Sequence, residues 1–71
     1  MSTKDRFARA DQLVGAMKER IARQRAEVER ARRRGRPTAG AEALQRTLEE
    51  SLNVFERHRH RLFERLEAKR H

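Results

Sequence analysis

A single proline, Pro37, stands close to the midpoint of a 71-residue chain. Proline lacks a backbone donor and clashes with the preceding turn, so a helix can end before it or begin near it but cannot pass through. No second proline interrupts either half, and in both halves apolar residues recur at helical spacing. From Phe7 the 3-4 step selects Phe7, Ala10, Val14, Met17, Ile21, Gln24, Val28 and Ala31, with only Gln24 polar. A mean step of about 3.5 residues is the seam of a coiled-coil-like helix. Good helix formers fill most remaining positions, and Gly15 is the one weak spot, costing about 1 kcal/mol relative to Ala. A second stripe follows the proline: Ala41, Leu44, Leu48, Ser51 with Leu52, Phe55, His58 with Arg59, Leu62 and Leu66.

The ends of these stripes carry stop and start signals. Ser2, three residues before Asp5, fits an N-cap. In Arg34-Gly35-Arg36-Pro37-Thr38, Gly35 suits the left-handed position that closes a helix, and Thr38 suits the cap of the next. Arg32, Arg33 and Arg34 complement the negative end of the first helix dipole. The expected fold is therefore all-α, an antiparallel two-helix hairpin occupying residues 1–71 as one domain. It has a helix over about 4–34, a loop at 35–38 and a helix over about 39–69.

Folding the chain at 37–38 pairs positions whose numbers add to about 75–76. Val28 then faces Leu48, Ile21 faces Phe55 and Val14 faces Leu62. Gln24 with Ser51, and Met17 with His58, form polar or mixed layers of the kind that fix register. Ion pairs are expected along the exposed faces at Asp5–Arg9, Glu19–Arg23, Glu29–Arg33 and Glu42–Arg46, each contributing about 0.2–0.5 kcal/mol.

Two helices alone cover each stripe on one side only, and a chain this short buries little surface unless something reinforces it. Phe7, Leu13, Leu52 and Phe63 lie on or beside the stripe, with Leu13 and Phe63 expected at one level near the open end. They are the candidate surface for a second hairpin, giving a homodimeric four-helix bundle; a different protein partner would cover the same surface.

Composition narrows the setting. There is no Cys, which excludes disulfides and thiolate metal sites and suits a reducing compartment. The first residues carry no apolar run, so neither a signal peptide nor a membrane association is expected, and the location expected is cytoplasmic. Charged residues make up 42% of the chain and the formal charge is +8. Such a surplus favours acidic partners, nucleic acid among them. It is concentrated in residues 1–35, with eleven bases and five acids, against eight and six in residues 36–71. Arg23, Arg30, Arg32, Arg33, Arg34 and Arg36 are the candidate anion contacts.

No pattern of catalytic residues emerges, and neither enzyme activity nor a cofactor is expected. His58 and His60 are two residues apart and so diverge on a helix, flanked by Arg57, Arg59 and Arg61, which oppose a cation. The third His is His71. A di-iron bundle needs inward Glu-x-x-His, and Glu56 is followed at that step by Arg59. Without Tyr or Trp, stacking on single-stranded bases is disfavoured. Arg34-Gly35-Arg36-Pro37 resembles the core of the AT-hook, an extended segment for the minor groove. The usual preceding Pro is Arg33 here, and the same residues make a helix stop.

One wider resemblance runs without gaps over residues 20–66. Its segments are Arg20-Ile21-Ala22-Arg23-Gln24-Arg25, the loop opening at Gly35, Ala43-Leu44-Gln45-Arg46-Thr47-Leu48-Glu49-Glu50, and Arg59-His60-Arg61-Leu62. They resemble a group of small proteobacterial helical-hairpin proteins common in rhizobia and their relatives, to which no function is assigned. Arg36-Pro37 departs from the more neutral loop pair of that group. In architecture the expected dimer also resembles Rop, a plasmid RNA-binding helical hairpin.

Overall fold

The computed structural model describes residues 1–70; His71 lies outside them. Two helices of equal length, α1 (Thr3–Arg33) and α2 (Ala39–Lys69), run antiparallel over their whole length. The molecule measures 56 × 18 × 14 Å, which fits 31-residue helices of about 46 Å plus a turn.

Local chemistry sets the ends. The Ser2 hydroxyl accepts the Asp5 amide at 3.1 Å, so the expected cap is made. At the far end Gly35 takes a φ of +68°. Its N–H donates to the Arg32 carbonyl at 3.0 Å, and the Arg36 N–H donates to the Ala31 carbonyl at 2.9 Å. These paired bonds form the Schellman closure, which satisfies two carbonyls that the helix leaves open. Thr38 stands at the cap position of α2 without a side-chain capping bond, contrary to expectation; its φ of −118° and ψ of −3° lie outside the extended geometry such caps adopt.

The register also differs from the expected one. Cross-helix neighbours include Thr3 with Lys69, Phe7 with Phe63, Asp11 with Arg59, Arg25 with Glu49 and Arg32 with Glu42. Their numbers add to between 70 and 74, not 75–76. The cause is the turn: α1 stops at Arg33 and α2 starts at Ala39, which centres the loop on Arg36. Gln24 consequently does not form the expected layer with Ser51. Its amide nitrogen donates to the Ala41 carbonyl at 3.1 Å, toward the loop. Phe63 packs with Phe7, ring centroids 6.2 Å apart, and lies away from the level of Leu13.

The core is thin. Ala10, Val14, Ile21, Val28, Leu48 and Leu62 are buried, and they form a single file along the seam. No polar or charged residue is buried among those described. The exposed area is 5664 Å², whereas a compact monomer of 8.5 kDa exposes roughly 4,650 Å². The radius of gyration is 16.4 Å, against roughly 11 Å for a compact chain of this length. This hairpin therefore keeps in water about 1,000 Å² that a globular fold of equal mass would cover.

Candidate interaction surface

Each helix presents one strip to its partner and two edges beside it. Counting heptads in α1 with Phe7 as the first position places Lys4, Asp11, Lys18, Arg25 and Arg32 on one edge. Arg6, Leu13, Arg20, Glu27 and Arg34 occupy the other. The ion pairs fix which edges of α2 they meet. Arg25 Nη2 lies 2.8 Å from Glu49 Oε1, Arg32 pairs with Glu42, and Arg59 Nη1 lies 3.1 Å from Asp11 Oδ1. Glu42, Glu49, Glu56 and Phe63 thus form the α2 edge of this first flank. The α2 edge of the second flank falls, at the same seven-residue step, on Leu44, Ser51, His58 and Arg65.

On the first flank the signs are complementary: α1 is mostly basic and α2 mostly acidic, and three cross-helix ion pairs result. The Arg25 guanidinium, followed by the Gln45 amide, holds the Glu49 carboxyl below its ordinary pKa through hydrogen bonds. Gln45 Nε2 donates to Glu49 Oε1 at 3.3 Å. Near the open end this flank becomes aromatic. Phe7, Phe63, Glu56, Arg59 and His60 line one shallow groove, and the His60 ring lies along Phe63 with centroids 6.5 Å apart. Leu52 is half-buried farther along, beside Lys18, Ile21 and Arg25.

The four residues nominated for dimer contact therefore divide. Leu52 and Phe63, eleven residues apart, lie within about 20° of each other around α2, and Phe7 joins them. Leu13, six residues after Phe7, lies about 120° around α1 from it, on the second flank. There Leu13 is 49% exposed and Leu44 42%; Phe63 on the first flank is 44% exposed, and Val54 lies on the outward face of α2 with Asn53, Arg57 and Arg61. Leu44 stands in no candidate surface; the sequence signal that finds it is the heptad frame of α2, once its phase is known.

No cross-helix ion pair forms on the second flank among the described residues. By register Arg6 stands level with Arg65, Leu13 with His58, and Arg20 with Ser51. Glu27, its one carboxylate in α1, pairs along its own helix with Arg30.

The six nominated anion contacts also divide. All are exposed, but Arg30 is engaged by Glu27, and Arg32 by Glu42 and Glu29. Arg23, Arg33, Arg34 and Arg36 have no ion pair among the described residues. Arg34 caps α1 and Gly35 takes its left-handed turn, so the hook-like tetrapeptide is consumed by the helix stop and is not extended. None of the four expected i,i+4 pairs forms; Glu29 reaches Arg32 at i+3 instead, at 3.9 Å, and Glu42 crosses the seam to Arg32. His58 and His60 are exposed, and His60 Nε2 lies 3.0 Å from Glu64. Among the described residues no three His, Cys, Asp or Glu side chains cluster in a way that could hold a metal ion, and no helix is long and apolar enough to cross a membrane. No protein family, curated protein or solved structure matches the chain.

Proposed function

We propose that this chain works by helix–helix contact, as a cytoplasmic homodimer whose two hairpins form a four-helix bundle, with no catalytic site of its own. The observation that carries the reading is the roughly 1,000 Å² of surface in excess of a compact monomer. A standard interface removes about 800 Å² from each partner, so one pairing would absorb most of that excess. The first flank suits self-association. A two-fold contact brings the basic α1 edge of one hairpin toward the acidic α2 edge of the other, around Phe7, Leu52 and Phe63. Kinship with the rhizobial-type hairpin group fits this reading and assigns no role. Static light scattering at micromolar concentration tests it: two chain masses support the dimer, and one refutes it.

A second reading, a nucleic-acid-binding hairpin, is favoured by one observation: Arg23, Arg33, Arg34 and Arg36 are exposed and without ion pairs among the described residues. Mobility shift with duplex DNA and structured RNA tests it across a salt series. Phosphate contact gives binding that falls steeply with salt and ignores sequence, whereas no shift at low salt removes the reading.

A further inference from the structure

We infer that the second flank, with the shoulder of each helix behind it, is a binding face for the phosphate backbone of double-helical nucleic acid. The inference rests on the second reading above and gives it a surface, one that runs along the helices instead of sitting at the loop. Its edge cations are Arg6, Arg20 and Arg34 on α1 and Arg65 on α2. Arg9, Arg23, Arg30 and Arg61 stand three or four residues from these, about 40–60° farther outward around the same helices. All eight are exposed, and only Arg30, held by Glu27, has an ion-pair partner among the described residues.

The distribution of acids sets this face apart. Glu27 is its one carboxylate, and the other ten acids of the chain lie on the first flank or on the outer sides of the helices. Eight arginines and one glutamate leave seven of the eight net positive charges of the whole chain here. A second copy would set like charges together, so this face stays outward when the first flanks pair.

Shape and chemistry select the ligand. Arg6, Arg20 and Arg34 follow one another at about 21 Å and span about 42 Å. Guanidinium groups so far apart cannot converge on one small anion. They match a stiff linear polyanion, and a nucleic-acid duplex carries a charge every ~1.7 Å of its axis. Every cation of the face is Arg; Lys4, Lys18 and Lys69 all lie elsewhere. Arginine suits phosphate because its planar fork meets two oxygens at once. An anionic bilayer holds a basic surface firmly only where a second, apolar signal accompanies it. Leu13 and Leu44, about 22 Å apart along the molecule, supply no continuous apolar strip. Contact with phosphates positions a duplex without reading its sequence.

The test uses the full chain and fluorescent duplexes of about 24 base pairs, one DNA and one RNA, followed by anisotropy from low to physiological salt. At least one duplex is expected to bind, equally in two unrelated sequences, with affinity falling linearly on a log–log salt plot. R20E/R23E should weaken binding at least about tenfold at low salt and lower the salt slope by about two. Two controls change the charge by the same amount, K18E/R46E on the first flank and R33E/R36E at the loop. Each should stay within about threefold of the unaltered chain. All six sites are exposed, and circular dichroism checks folding in each variant. Equal losses in R20E/R23E and K18E/R46E overturn the inference, because the duplex would then sense net charge alone. A loss in R33E/R36E with R20E/R23E unchanged also overturns it, while leaving the second reading in place. No binding of either duplex at low salt removes both. Displacement of the duplex by phosphatidylglycerol vesicles or by polyglutamate at matched charge overturns the inference as well, the face then serving a different anion.

Discussion

The two flanks of this hairpin are edges of the same pair of helices, flank the same single-file core and carry similar amounts of exposed apolar side chain. Their charges differ in arrangement. On the first, α1 is basic where α2 is acidic, and Arg25–Glu49, Arg32–Glu42 and Asp11–Arg59 close over the seam. On the second, Arg6 faces Arg65 and Leu13 faces His58, and no pair closes. A flank with both signs is complementary to a turned copy of itself; a flank whose unpaired charges are all basic repels such a copy. Exposed hydrophobic area alone does not make this distinction. Pairing of charge across the seam does.

The most disruptive change removes the floor that both flanks share. Val14 is 1% exposed, and Val14→Asp buries an unpaired carboxylate at a cost of several kcal/mol. Cooperative thermal unfolding, followed by circular dichroism at 222 nm, should disappear. Next in size is the contrast between Phe63→Glu and Leu13→Glu. The first is expected to weaken self-association by about 2 kcal/mol or more, reducing the light-scattering mass to one chain, while the second leaves the dimer mass in place. Equal effects of the two would erase the functional difference between the flanks.

Smaller changes sharpen the comparison. Gly35→Ala places a Cβ on a residue at φ +68° and should cost about 1 kcal/mol in urea denaturation, without favouring either flank. Arg65→Glu sets opposite charges level on the second flank. It should add about 0.2–1 kcal/mol at low salt, fading as salt rises. The smallest effect concerns Glu49, whose carboxyl is held below its ordinary pKa by Arg25. Its contribution is full above the unfolded value of about 4.3 and is lost as pH falls through the lower folded value. The acid limb of a stability–pH curve should therefore flatten slightly in Glu49→Gln.

Much of the fold was legible because its signals are local. Pro37, Gly35 and the 3-4 stripe each act over a turn or two, and the helix ends fall within a residue of expectation. Register was not legible to the same degree. It depends on where the loop is centred, and Gly35 closing α1 at Arg33 moves that centre to Arg36, one and a half residues from the position inferred. Because pairing doubles any such offset, Gln24 loses Ser51 and Phe63 lands beside Phe7. The division of Phe7, Leu52 and Phe63 from Leu13 was readable from 100° per residue. Which flank would hold the ion pairs was not, since it requires knowing which edges of the two helices meet.

We propose a hairpin that is half of an assembly. Its most direct test is the light-scattering mass of the unaltered chain at micromolar concentration and physiological salt. Two chain masses, with dissociation on dilution, are expected; a single chain mass that stays constant up to the highest concentration reached rules the assembly out.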